Sequence, residues 1–386
     1  GSQKTEPMHC LGLMSGTSAD GVDAVLARFD GPSQRPQWSL LHHHHQPYPL
    51  QLQQQVVAAG QGAPMPAAVW LELAEAITEV QADAARACDP DAQAELIGCH
   101  GQTVWHRPPA QGAGGGSWQM LQAPLLAHLL QRPVVHDFRA ADLVLGGQGA
   151  PLVPRADAAL LGHTQGWRAL LNLGGIANLT LIPPGSGSDR HSAVLGWDCG
   201  PANSLIDLGM RHFTNGAQPF DKGGAMAAQG RADEGWIQRW LQEDYFQLTP
   251  PKSTGRECFG QDDLTRRLRQ LGGASATDAI ATLTAFPAAV VAQDLEHLRQ
   301  RRGIAPIEMI TAGGGSQNPV LIDELRRRCR GLQLDESSRL GVPTEAREAL
   351  VFALLAWWHH KGHPGNVPAV TGARREAVLG VQVNPA

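Results

Sequence analysis

Two stretches of the chain repeat one pattern of hydrophobic and polar positions: an apolar run, a turn of small residues, a second apolar run. In the first, Leu11–Met14 enters Ser15-Gly16-Thr17-Ser18-Ala19-Asp20-Gly21, and the run from Val22 to Phe29 leaves it around Asp23. In the second, Leu170–Leu173 passes through Gly174-Gly175 into Ile176–Ile182. Each reads as a β-hairpin. The first turn is longer than a tight hairpin needs. Its glycines can take positive φ and aim backbone N–H groups at one point, its hydroxyls add donors, and such a concavity suits phosphate oxygens. Asp20 and Asp23 would repel a bare phosphate, so a cation such as Mg²⁺ is expected between them, on Asp20 directly or through water. An ordinary polar turn is the other reading of that stretch. Two such hairpins far apart point to a duplicated domain with a nucleotide held by the copies.

The remaining pattern alternates strands and helices. Trp38 to His45 reads as a third strand, on which His42 to His45 point to opposite faces and do not converge on a metal. Pro47 to Pro66 is linker-like, rich in Gln, Gly and Pro. Val69, Leu73, Ile77, Val80 and Ala84 recur at helical spacing, which predicts a helix over 66–88. A strand from Glu95 ends in the polar cluster His100-Gly101-Gln102-Thr103, either ligand contacts at a strand exit or a turn satisfying its own backbone. Gly112 to Ser117 reads as a hairpin tip. Val134 to Phe138 is a short strand that runs into Arg139-Ala140-Ala141-Asp142 and Gly146 to Pro151. Gly147-Gln148-Gly149 lacks the third glycine of a dinucleotide turn and is followed by a proline. Arg139 could grip a carboxylate or pair with Asp142.

Beyond residue 165 the second hairpin is followed by a Pro/Gly/Ser loop (Pro183 to Ser188). Then comes strand, tight turn and helix over Ser192 to Asp207. Asp198 falls at that strand's end, facing a helix N-terminus, where it could be a general base or a plain N-cap. Asp221 to Phe246 reads as mostly helix with Trp236 and Trp240 in the core, and Leu248 to Phe259 as an irregular loop near the cleft. Thr277 to Arg302 is a helix with a kink or break expected at Pro287. Ile307 to Thr311 is a strand feeding Gly313-Gly314-Gly315, with Asn318-Pro319 as N-cap and first residue of a helix. Bare glycines there would let the backbone approach a flat ring or ribose. The last long helix, Thr344 to His360, carries Glu345 and Glu348 in its first turn and is apolar around much of its surface. It is expected to lie between the domains.

Composition narrows the function classes. The 386 residues are enough for two domains, and 42% apolar with 17% charged residues is globular. A net charge of −5 argues against a nucleic-acid or anionic-membrane surface. No stretch has the length of a membrane span, no leader pattern is expected at the start, and Gly1-Ser2 is expected to be an expression scar. The six cysteines form no C-x-x-C pair, which fits a reduced cytoplasm. No lysine follows a glycine, so a phosphate site here is not a P-loop.

The motifs SGTSADGVD from Ser15, HGQTVWHRP from His100, VVHDFRAADLVLGGQGAPLVP from Val134, LNLGGIANLT from Leu171, DCGPANSLID from Asp198 and TAGGGSQNP from Thr311 occur in order over nearly the whole chain. Together they resemble the anhydro-N-acetylmuramic acid kinases of the actin/hexokinase-like ATPase superfamily. The resemblance implies an α/β, two-domain actin/hexokinase-like fold, a duplicated ribonuclease H-like fold with a central interdomain cleft. The domains would be residues 5–164 and 165–386. It implies an ATP-dependent phosphotransferase of peptidoglycan recycling that opens 1,6-anhydro-N-acetylmuramic acid with water and phosphorylates O6, giving N-acetylmuramic acid 6-phosphate. Asp198 would be the base that activates the water.

The resemblance places ATP and Mg²⁺ at Gly16, Thr17, Ser18, Ala19, Asp20, Gly21, Val22, Asp23, Gly174, Gly175 and Asn178, and the adenosine at Gly313, Gly314, Gly315 and Asn318. It places the sugar at Gln102, Thr103, Arg139, Asp142 and Glu348, where an arginine suits the lactyl carboxylate. A cytoplasmic homodimer that closes about a hinge is implied as well. Cys199 and Ala202 depart from the family, which usually has a small hydroxyl residue and a glycine there. Two other functions stay in view. A kinase of a different amino sugar should differ in the HGQT and DFRAAD regions, and a nucleotide-gated binding protein or chaperone should release ADP without sugar dependence.

Overall fold

The computed structural model describes residues 6–107, 109–162, 165–185, 187–250, 252 and 256–386. They divide into two compact units, Gly1–Leu161 with Gly341–Ala386, and Gly162–Leu340. The boundary expected at residue 164 and part of the 248–259 loop lie outside the described residues.

The first unit opens with the expected hairpin, β1 (Met8–Ser15) against β2 (Gly21–Asp30), and β3 (Gln37–Pro47) continues the meander. The supposed linker holds a helix, α1 (Leu50–Gly60), because Leu52, Val56 and Ala59 share one face and are buried. Its glutamine content masked that spacing. Next come α2 (Ala67–Cys88), β4 (Leu96–Arg107), β5 (Gly116–Met120), α3 (Ala123–Leu130), β6 (Val134–His136), α4 (Ala140–Val144) and α5 (Val153–Leu161). β4 runs parallel to β1, and β6 parallel to β4.

The second unit repeats this plan. β7 (Arg168–Leu173), β8 (Ile176–Ile182) and β9 (Leu195–Pro201) form an antiparallel meander. Helices follow as α6 (Asn203–Phe213), α7 (Ala225–Gln229), α8 (Glu234–Leu241), α9 (Asp244–Gln247), α10 (Gln261–Gln270) and α11 (Ala276–Arg302). Then β10 (Glu308–Ala312) lies parallel to β7, α12 (Pro319–Arg328) follows, and β11 (Gln333–Glu336) lies parallel to β10. The strand orders β3-β2-β1-β4-β6 and β9-β8-β7-β10-β11 match position for position, which is the duplication the paired hairpins predicted. Each unit has its own apolar core. α11 runs unbroken through the buried Pro287. The stretch 221–246, expected to be mostly helix, is helical in the short pieces α7, α8 and α9, and Gly223 and Gly224 take positive φ just ahead of α7.

The chain then returns to the first unit as α13 (Arg347–Lys361), α14 (Pro368–Thr371) and β12 (Val381–Val383), with β12 antiparallel to β6. This corrects the assignment of 341–386 to the second domain. α13 lies on β1 and β4, where Gly12 and Gly98 are cross-strand partners. A Cβ at Gly12 would sit 1.9 Å from the Ala349 carbonyl oxygen, and one at Gly98 2.2 Å from that of Phe352. Gly12→Val should therefore destabilise the unit by about 3 kcal/mol, read as a lowered urea midpoint. Among the described residues no helix is long and apolar enough to cross a membrane.

Candidate active site

The β1–β2 turn is tied down from beneath. Gln102 has no exposed surface; its Nε2 donates to the carbonyls of Gly16 (3.1 Å) and Thr103 (3.3 Å), and its Oε1 accepts the Tyr48 hydroxyl (3.0 Å). The Tyr48 N–H donates to the Asp20 carbonyl at 3.0 Å, and Gln81 Nε2 donates to Ser15 Oγ at 2.9 Å. Burial pushes the Tyr48 phenol up to about 12, so it remains a neutral donor. Gln102 thus positions the turn with both ends of its amide. Ala19 and Val22 point into the core, and Gly21 is pressed against the Gln46 carbonyl. The accessible part of the turn is Gly16, Thr17, Ser18 and Asp20, with Asp23 half-buried beside it.

Ser18 Oγ donates to Asp20 Oδ2 at 3.1 Å, and Asp23 Oδ1 is hydrogen-bonded to His45 Nδ1 at 2.8 Å. Mg²⁺ takes one or two carboxylates and keeps several waters. The exposed Asp20 carboxylate fits that donor chemistry, whereas Asp23 is engaged by a histidine. Among the described residues no three His, Cys, Asp or Glu converge into a cage.

A second polar group in this unit centres on Arg139. Buried His100 donates from Nδ1 to the Gly101 carbonyl (2.8 Å), which leaves Nε2 to accept from Arg139 Nε (3.3 Å) and Nη2 (3.0 Å). Burial, and secondarily the Arg139 charge, push His100 down to about 3, so the ring stays neutral. Arg139 Nη1 donates to the Gly149 carbonyl at 2.7 Å. A guanidinium has five N–H donors, so two remain for a ligand among the described residues. Asp142 is held by its neighbours. It has no exposed surface, and its oxygens accept Asn366 Nδ2 (2.8 Å), Thr371 Oγ1 (2.6 Å) and the Gly149 N–H (2.8 Å). It fastens the glycine loop whose carbonyl receives Arg139. Thr103 is half-buried, with Oγ1 accepting Gln119 Nε2 at 3.1 Å. Glu348 is the second residue of α13 and is exposed. Arg139, Thr103 and Glu348 are therefore the members of the expected sugar set with accessible atoms.

In the second unit the Gly174-Gly175 turn is docked on the start of α6. The N–H groups of Ala202 (2.9 Å) and Ser204 (3.0 Å) donate to Gly175, and that of Asn203 (3.0 Å) to Gly174. Asp198 lies within β9, three residues before its end, so it is neither at the strand exit nor the cap of α6. It is half-buried and stands in register with Asn178, which in turn faces Asn172. In-register neighbours share a face of a sheet, so these three make a polar row next to the glycine turn. Asn172 reaches the third motif: a Cβ on Gly313 (φ 83°) would lie 2.7 Å from its Oδ1.

Gly315 is buried against Leu173. Asn318 caps α12 through the N–H groups of Val320 (3.1 Å) and Leu321 (3.3 Å), so its Oδ1 shapes the loop. Gly224 packs on Asn318, beside a groove of about 580 Å³ lined by Phe220, Asp221 and Lys222. The departure at Cys199 points away from this face, since its neighbour Asp198 points into it; the thiol is buried and hydrogen-bonded to Asp294. Ala202 is buried as well.

Four motif glycines share a property with Gly60, Gly114 and Gly273, which lie outside the motifs. At Gly16, Gly174, Gly175 and Gly314 no positive φ is used, and an added Cβ would meet no described atom nearer than 3.7 Å. Neither backbone conformation nor packing accounts for glycine at these positions. The sequence reading named His100 and Asn172 only within their motifs and missed Tyr48, Gln81 and the Gly223-Gly224 turn. Only the last left a signal, a glycine pair inside a helical pattern.

The anhydro-N-acetylmuramic acid kinase family model matches residues 8–385. A protein of Synechococcus sp. (strain CC9605) named anhydro-N-acetylmuramic acid kinase is 88% identical, over 98% of this chain and 100% of its own. Proteins of the same name from Parasynechococcus marenigrum (strain WH8102) and Prochlorococcus marinus (strain MIT 9303) are 68% and 64% identical over the same shares.

Proposed function

The chain belongs to the anhydro-N-acetylmuramic acid kinase family, and from that premise we propose that it uses ATP and water to convert 1,6-anhydro-N-acetylmuramic acid to N-acetylmuramic acid 6-phosphate in peptidoglycan recycling. Asp198 takes a proton from water, the water oxygen bonds to C1, and the C1–O6 bond breaks. O6 then takes the γ-phosphoryl group and ADP leaves. The observation that carries this reading is the position of Asp198, a carboxylate on the same sheet face as Asn178 and next to the bare glycine turn. Phosphoryl transfer needs positioning and charge neutralisation more than covalent chemistry. Gly16, Thr17 and Ser18 in one turn and Gly174-Gly175 in the other approach the phosphates. Adenosine lies along Gly313 and Gly314. Mg²⁺ would be held by Asp20 and, when bound, neutralises phosphate charge. Two further properties, a cytoplasmic location and a homodimer, are proposed from the family alone.

Arg139 receives the lactyl carboxylate with its two remaining donors, and His100 orients it. Hydrogen bonds to charged groups are worth about 1.5–3 kcal/mol. Arg139→Met should therefore raise KM for the sugar about 10- to 100-fold, with KM for ATP unchanged. His100→Leu should follow in the same direction, and His100→Gln, which keeps an acceptor, should fall between. The substrate assignment is tested by ADP release with the anhydro sugar against N-acetylglucosamine. Stimulation by the anhydro sugar alone is expected. Equal stimulation by both would return the assignment to a broader amino-sugar kinase.

A further inference from the structure

Behind Asp198 the second unit buries a charge pair that the transfer chemistry does not use. Strand alternation sends Trp197 and Cys199 to the face opposite Asp198. There the fully buried Asp294 of α11 accepts Trp197 Nε1 at 2.9 Å and Lys252 Nζ at 3.0 Å, and bonds the Cys199 thiol. The Lys252 side chain is only 2% exposed. Its Nζ also donates to the Tyr245 carbonyl at 3.3 Å and lies 4.8 Å from that ring's centre.

The same two residues hold the Asp198 backbone. The Asp198 N–H donates to the Lys252 carbonyl at 3.1 Å, and its carbonyl accepts the Tyr245 hydroxyl at 2.6 Å. The contacts close a ring: Asp198 to Lys252, Lys252 to Asp294, and Asp294 back to both chain neighbours of Asp198.

A buried ion pair is poor evidence for stability, because apolar groups of similar volume often stabilise as well. What the ring supplies is direction: two hydrogen bonds hold the Asp198 backbone, and four more tie together the residues around it. We propose that Lys252, Asp294 and Tyr245 are positioning residues that hold the Asp198 carboxylate where it can take the proton from water; this rests on Asp198 being the base. Misplacement by about 1 Å can cost 10²-fold in rate.

The test is steady-state kinetics of the full-length enzyme with ATP and the anhydro sugar, for Tyr245→Phe, Asp294→Asn and each combined with Asp198→Asn. Tyr245→Phe removes one hydroxyl and keeps the ring, so it serves if Asp294→Asn does not fold. Each single variant should lose about 10- to 100-fold in kcat, with both KM values within about threefold. In the Asp198→Asn background the same change should cost nothing further, because there is no base left to misplace. Folded Tyr245→Phe with wild-type kcat, or losses that multiply with Asp198→Asn, would overturn the proposal. Full turnover by Asp198→Asn alone would instead remove the base assignment on which it stands.

Discussion

Asp198→Asn is expected to lower kcat for sugar-dependent ADP release by about 10²- to 10⁴-fold, the range that general-base catalysis supplies. The asparagine keeps the size of the side chain but cannot take a proton at neutral pH. Backbone contacts of the residue run through its N–H and carbonyl, to Lys252 and Tyr245, and the substitution leaves them in place. The variant should keep its affinity for ATP. A variant with wild-type kcat would take Asp198 out of the reaction.

The second large effect concerns a glycine the fold does not need. At Gly175 an added Cβ would meet nothing nearer than 3.9 Å, the Cβ of Ser204, and φ is not positive. Gly→Ala at such a position tends to stabilise by about 0.4–1 kcal/mol through the unfolded chain. Gly175→Ala should thus unfold no more easily than wild type. If phosphate oxygens approach this turn closely, the same methyl group should lower kcat/KM for ATP by about 10²-fold, the scale of losing one oriented donor. Unfolding curves and ATP kinetics on one preparation check both halves. Unchanged kinetics would mean that the turn does not receive the phosphates.

The hairpins, the duplicated strand order and the Asn318 cap were legible because each is written in residues close together in sequence. Apolar alternation around a glycine turn specifies a hairpin locally, and Asn-Pro specifies a helix start locally. The roles of Gln102 and Asp142 were not legible. Gln102 meets Gly16 across 86 residues and Asp142 meets Asn366 across 224, and nothing in either segment names its partner. The family resemblance put both at the sugar, while position alone left a backbone-satisfying turn and an ion pair open; in the structure both spend polar atoms on neighbouring loops. Asp198 was expected at a strand's end and lies three residues inside it, since Cys199-Gly200-Pro201 reads as a turn and is strand. Gly12 and Gly98, which let α13 return onto the first sheet, look like any other strand glycines until the helix is seen against them.

The most direct test of the central claim is the mass of the product formed from ATP and 1,6-anhydro-N-acetylmuramic acid, followed alongside ADP release. The account predicts one product, heavier than the sugar by one water and one phosphoryl group, formed mole for mole with ADP. ADP released without sugar, or a phosphorylated sugar that has gained no water, would contradict it.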